Sequence, residues 1–161
     1  MAVSIAIETP LQDDVRALVA ALNDHLLPLS PLEFQFKMSV EQMADSATTL
    51  FVARDESGRA VGMGALKMHG PELGEVKRMF TLPEVRGQRV GRQLLERIVD
   101  LARERNLPVL MLETGTGPGM AEAHRLYTRY GFTPRGPFLD YPDSEWSAFF
   151  ELPLSAPAEL A

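Results

Sequence analysis

The chain has 161 residues, 45% of them hydrophobic and 24% charged, and a net charge of −6 at pH 7; this is ordinary globular composition, and a chain of this length buries roughly two-thirds of its unfolded surface without a covalent staple. It contains no cysteine, which excludes disulfides, cysteine nucleophiles and thiolate metal sites, and His25, His69 and His124 have no metal-ligand spacing, so no metal is expected. The acidic balance argues against general nucleic-acid binding, which calls for a basic face, and mildly favours a cationic partner.

Val3 to Glu8 alternates like a strand and has neither the basic start nor the long apolar core of a signal peptide. No apolar run approaches membrane-spanning length, so a soluble, cytoplasmic protein is expected. A helix over about residues 11–27, a Pro/Ser-punctuated connection and a short helix over 39–45 come next. Strands at 50–54 and 59–68 flank Asp55-Glu56-Ser57-Gly58, a turn that closes an antiparallel hairpin. A strand at 73–82 stops at Pro83, which fixes φ and removes a ladder donor. In the helix predicted over 89–105, Val90, Leu94, Leu95, Ile98, Leu101 and Ala102 form one stripe, with Arg92, Glu96, Arg97, Asp100 and Arg103 elsewhere. Val109 to Leu112 is a continuous apolar run, as expected of a strand buried on both faces, and the crossover helix makes it parallel to the 73–82 strand. A helix at 119–130 and strands at 132–136 and 145–152 complete the chain, with a frayed tail expected from Pro153. There is no internal repeat or linker. The expectation is a single-domain α/β fold over 1–154, a mixed sheet of about six to seven strands flanked by about four helices, with 155–161 as a C-terminal tail.

The most informative segment is Arg86-Gly87-Gln88-Arg89-Val90-Gly91-Arg92. A strand, a tight turn and a helix N-terminus leave several backbone N–H groups without intrahelical partners and pointing at one spot. Three arginines crowd that spot in a chain of net negative charge, which defines an anion seat. It is neither a Walker loop, which needs Gly-Lys-Ser/Thr, nor a dinucleotide fingerprint, which needs three glycines after the first strand. It resembles the pyrophosphate loop of the GNAT superfamily of acyl-CoA-dependent N-acetyltransferases, Gln/Arg-x-x-Gly-x-Gly/Ala, with Arg89 in place of the middle glycine. Arg89 is expected to keep an ordinary negative φ, because arginine at positive φ is strained. A second match follows: Ala123-His124-Arg125-Leu126-Tyr127-Thr128-Arg129-Tyr130-Gly131-Phe132 resembles the family's late helix, Ala-x-x-Leu-Tyr-x-x-x-Gly-Phe, and Gly131 stands where helices end in a left-handed residue. The resemblance runs from about residue 48 to residue 152 and looks like a bacterial small-molecule branch.

The resemblance implies acetyl-CoA as cosubstrate. Its pyrophosphate would rest on Arg86, Gly87, Gln88, Arg89, Val90, Gly91 and Arg92, and its pantetheine arm would pair with the backbone of Met79, Phe80 and Thr81. Met120 stands where the family often has an asparagine that holds the pantetheine. An ammonium must lose a proton before it attacks a thioester, and family members that use a strand glutamate as base place it where Glu75 stands. By the period of two, residues 75, 77, 79 and 81 share one face. The alternative for Glu75 is a salt bridge to Lys77 or Arg78, and Glu72 is a rival in the preceding loop. Tyr127 matches the tyrosine that protonates the departing thiolate; a core tyrosine beside Leu126 is the alternative. In this fold class the acceptor pocket is built by residues 25–38 and by the loop Phe138 to Asp143. Asp140 and Tyr141 are the candidate acceptor contacts, unless that loop is only a solvated turn, and Phe34 and Phe36 are expected in the core or an interface rather than the pocket. The expected activity is acetyl transfer to the primary amine of a small molecule by direct attack within a ternary complex. A protein or peptide N-acetyltransferase and a non-catalytic acyl-CoA-binding module are the alternatives, and homodimers are common enough to leave one open.

Overall fold

Strands β2 (Thr48–Arg54) and β3 (Ala60–His69) bury successive residues rather than alternate ones, so both faces of the sheet they form must be covered. A computed structural model, which describes residues 2–154, shows what covers them. β1 (Ser4–Ile7), β2, β3, β4 (Leu73–Thr81), β5 (Val109–Gly115), β6 (Thr133–Arg135) and β7 (Ser147–Pro153) form one sheet in the order β1-β2-β3-β4-β5-β7-β6. Every pairing is antiparallel except β4 with β5, whose connection runs through the crossover helix.

Helix α1 (Asp13–Leu26) covers one face. Its Val15, Leu18, Val19 and Leu22 pack with Met38, with Val40 and Met43 of α2 (Val40–Met43), and with Leu50, Val52, Met63 and Phe80 of the sheet. Helix α3 (Val90–Glu104) covers the other. Its Leu94, Leu95, Ile98 and Val99 meet Phe51, Val61, Leu66, Val76 and Leu110, and α4 (Ala121–Tyr130) adds Tyr127 to the same cluster. Gly64 of β3 lets α3 approach closely, since a Cβ there would collide with Met79 and crowd Ile98.

The strand period fails at one consequential place. Ala65 pairs with Lys77 and Met63 with Phe80, so Gly64 faces two residues of β4, Arg78 and Met79. Arg78 takes a left-handed φ of 56, the signature of a bulge that re-aims a strand. Residues 75, 77, 79 and 81 therefore do not share a face. Glu75 and Lys77 point to the α1 side, where they meet Tyr141, whereas Met79 and Thr81 point to the α3 side, beside Ile98 and Leu94.

Two smaller expectations are also corrected. β5 is not buried on both faces: Leu110, Leu112 and Thr114 are buried, while Val109, Met111 and Glu113 are only half-buried. Pro153 is not frayed but closes β7 opposite Val109, and Leu154 is buried and donates its N–H to the Pro108 carbonyl at 2.8 Å. The tail expected over 155–161 lies outside the described residues.

Candidate active site

β4 and β5 are paired only at Gly74 with Leu110 and at Glu75 with Met111. Beyond that point each continues along its outer partner, β3 or β7, and the two diverge. The gap opens a cleft lined by Lys77, Arg78 and Met79 of β4, and by Glu113 and Thr114 of β5. Met120, Ala123 and Tyr127 approach it from the α4 side, and Leu22, Leu26 and the segment 29–37 from the α1 side. Splitting a sheet between parallel strands leaves main-chain groups of β4 without a ladder partner on that edge, and an extended ligand can pair with such an edge. Met79, Phe80 and Thr81 lie on this free stretch. The Phe80 side chain is in the α1 core and the Thr81 carbonyl accepts from Arg86 Nη2 at 3.0 Å.

The glycine-punctuated loop follows a short 3-10 turn, Pro83–Val85, and leads into α3. Gly87 has φ +86, which suits glycine. Arg89, at φ 66 and ψ 18, is the left-handed N-cap of α3, so the negative φ expected of it is overturned. The helix needs that turn to start, and Arg89 is held there because its carbonyl accepts the Gln93 N–H at 3.0 Å. The amides of Gly87, Arg89, Val90, Gly91 and Arg92 have no acceptor among the described residues, while Gln88 N–H bonds the Val85 carbonyl at 3.2 Å. The arginines do not all face this spot: Arg86 lies over the Phe80 ring, and Arg92 lies over Tyr130 and pairs with Glu96 at 3.6 Å. An anion at this spot would therefore be met chiefly by main-chain N–H groups.

Glu75 is buried and held by three groups. His69 Nε2 lies 2.8 Å from Oε1, while the Tyr141 hydroxyl and Lys77 Nζ, the latter at 3.5 Å, donate to Oε2. Lys77 Nζ also donates to the Tyr141 hydroxyl at 2.9 Å. The ion pair to Lys77 is thus present, whereas Arg78 turns away to Asn23 of α1. Glu75 does not itself line the cleft; Lys77 does. The Tyr141 ring packs on Phe36, Phe138 and Phe149, and burial, with the Glu75 charge beside it, pushes its phenol well above the usual range. Asp140 is exposed and makes no hydrogen bond or ion pair among the described residues, so the fold does not bring it to Tyr141's cluster. Phe34 and Phe36, expected outside the pocket, line it.

Tyr127 is 6% exposed, stacks edge-on against Phe132, and lines the cleft from the side opposite α1. Burial first, and the Glu113 carboxylate second, push its phenol far up, so it stays protonated and can donate. Glu113 escaped the sequence reading. Its Oε2 accepts from Ser147 Oγ at 2.7 Å, and burial raises its pKa against the opposing pull of that bond and of Lys77. A carboxylate near the C-terminal end of an otherwise apolar parallel strand was the available signal. Lys77 and Arg78 carried another: two adjacent cations inside a buried strand cannot both reach solvent by simple alternation.

The sheet is thus split between β4 and β5, with free amides at the start of α3 and a buried phenol lining the gap. The profile of the family described as "Acetyltransferase (GNAT) family" matches residues 17–132, and the chain belongs to that family; it is an acetyltransferase. It is 43% identical over 153 residues to a protein of Azospirillum brasilense named IAA acetyltransferase, covering 94% of this chain and 98% of that one. It is 36% identical over 146 residues, 91% of each chain, to an Escherichia coli K12 protein named only as the N-acetyltransferase YedL. A crystal structure from Klebsiella pneumoniae superposes with TM-score 0.81 at 33% identity, over 95% of this chain and 98% of that one. No helix among the described residues is long and apolar enough to cross a membrane.

Proposed function

We propose that the protein moves an acetyl group from acetyl-CoA to the primary amine of a small molecule, by direct attack within a ternary complex. The observation that carries this reading is the divergence of β4 and β5 beyond Glu75 and Met111, which opens a cleft lined by β4, β5, Tyr127 and the α1 side. The CoA pyrophosphate would rest on the amides of Gly87 and Arg89 to Arg92, and the pantetheine arm would add to the free edge of β4 at Met79 to Thr81. With no cysteine in the chain, a thiol acyl-enzyme is excluded, which is in keeping with direct attack of the amine on the thioester. Glu75 takes the proton leaving the amine, relayed by the Tyr141 hydroxyl, with Lys77 and His69 holding the carboxylate in place. Tyr127, kept neutral by burial, donates to the thiolate as it departs. Glu113 is the other carboxylate at hand, and separate Glu75→Gln and Glu113→Gln variants decide between them.

A small acceptor is favoured over a peptide because the loop carrying Tyr141 meets Phe36 at 5.2 Å between ring centroids, which closes the α1 side rather than leaving an open groove. One relative, the aminoalkylphosphonate N-acetyltransferase of Salmonella typhimurium, is named for a small amine; it is 35% identical over 81 residues, 47% of this chain. A cytoplasmic site of action goes with this reading. The test is calorimetric titration with acetyl-CoA followed by an amine screen for thiol release. One-to-one saturable binding and amine-dependent CoA release are expected; no binding up to millimolar acetyl-CoA would overturn the reading.

A further inference from the structure

Two cations that line the cleft, Lys37 and Arg78, have no carboxylate partner among the described residues, and of these only Arg78 is buried. Glu75 is paired with Lys77 and lies against His69 Nε2, and Glu113 accepts from Ser147. Arg78 is 8% exposed and lines the cleft, yet among the described residues it has no carboxylate partner. Its Nη2 donates to Asn23 Oδ1, while Nε is buried with no acceptor. Burial lowers its pKa to about 10, so it still carries its charge at neutral pH. Burying an unpaired cation is costly. The backbone adds to that cost, because the left-handed φ of Arg78 is what turns the side chain to the α1 face rather than into the α3 core. A chain that needed only to fill this position could do so with an apolar residue at ordinary φ. The guanidinium fork offers parallel N–H donors that match the oxygens of a carboxylate or phosphonate and that a neutral or cationic group leaves unanswered.

We infer that Arg78 is the acceptor's anion anchor: the amine that this enzyme acetylates also carries an acid group, carboxylate or phosphonate, which pairs with the Arg78 guanidinium on the α1 side of the cleft. The inference rests on the proposed reading for the location of the acceptor, and it makes the acceptor an amino acid or aminophosphonate rather than a simple amine. Leu22, Leu26, Phe34 and Phe36 surround the same space, so an apolar side chain on the acceptor fits beside the ion pair. The acid group is not one of the phosphates of CoA, whose seat is at the start of α3.

The test uses the full chain saturated with CoA and titrates it with L-phenylalanine, L-leucine and 2-aminoethylphosphonate, against L-phenylalaninamide and L-leucinamide. Acetylation of each by acetyl-CoA is followed in parallel as thiol release. The expected result is that at least one acid binds the wild type more than tenfold tighter than the neutral amides. Arg78→Gln should remove that preference, chiefly in KM, while its affinity for CoA stays the same; Arg78→Lys should restore only part of it. Whether carboxylate or phosphonate binds more tightly identifies the acid. Equal binding of acids and amides by the wild type overturns the inference without the need of any variant. So does an Arg78→Gln protein that loses CoA binding, or one that loses both acceptor classes alike. Acids that bind through Arg78 without any thiol release would leave the anchor standing and overturn the transfer reading instead.

Discussion

The two ends of the proposed site would hold ligands by different means. At the start of α3 the contacts are main-chain amides, set by a left-handed turn and a helix N-terminus. On the α1 side they are side chains, Lys77 and Arg78 of one bulged strand, with Glu75, and Tyr141 of a distant loop, hydrogen-bonded to Lys77. A main-chain seat is indifferent to most single substitutions and reads only the charge and size of its ligand. A side-chain cluster is sensitive to each member, because removing one leaves another buried group without its partner. The first design suits a carrier common to many reactions, and the second suits the acceptor that distinguishes one reaction from another.

Substitutions at the two ends should therefore differ in kind as well as in size. The largest effect is expected from Glu75→Gln, which removes the proton acceptor while keeping the hydrogen-bonding shape: kcat falls by about a thousandfold with CoA affinity unchanged, within the range typical of general-base loss. Glu113→Gln, measured beside it, is expected to cost less than about tenfold in kcat; the reverse ranking would move the base to β5. Tyr127→Phe should lower kcat by about a hundredfold, a smaller loss because a thiol of pKa about 8.5 is already a fair leaving group. Unchanged turnover would remove the tyrosine from the mechanism.

At the main-chain end, Arg89→Gly should stabilise the fold by about 1 kcal/mol by relieving the left-handed residue, read as a rise in Tm. The affinity for CoA should stay within about tenfold, or about 1.4 kcal/mol. A much tighter complex would mean that the Arg89 side chain obstructs the seat that its backbone forms.

Away from both ends, Arg54 clamps Glu8 at 2.7 Å and Asp14 at 2.6 Å, tying β1 and α1 to β2. Its hydrogen bonds hold both carboxyls below their usual range. A depressed folded pKa contributes stability above the unfolded value of about 4, and that stability is lost as pH falls through the folded value. Arg54→Met should therefore lower Tm modestly at pH 7, and the gap to the wild type should close as pH drops below about 4. A gap that stays constant with pH would mean the clamp acts by packing alone.

How much of the site was legible depended on whether it was local. The loop from Arg86 to Arg92 could be read because strand, turn and helix start lie within a few residues, and free amides follow from that order alone. Tyr127 could be read because it sits inside a contiguous helix motif. The geometry around Glu75 could not. Its partners His69, Lys77 and Tyr141 come from a hairpin, its own strand and a loop 66 positions later. The parity argument for 75 to 81 failed because one bulge at Arg78 inverts the faces beyond it. Asp140 and Tyr141 were equivalent as sequence neighbours, and only packing separated them, placing one ring among Phe36, Phe138 and Phe149 and leaving the other residue in solvent.

The sequence by itself determined the order of strands and helices, the crossover that makes β4 and β5 parallel, and the free amides at the start of α3, since each rests on periodicity, turn chemistry or helix-end valence over a short span. Only the tertiary structure decided where β4 and β5 part, that Glu113 rather than Glu75 lines the cleft, and that a buried arginine stands there without a carboxylate partner. Those are sums over residues far apart in the chain, and a single extra residue in one strand is enough to change which side chains meet.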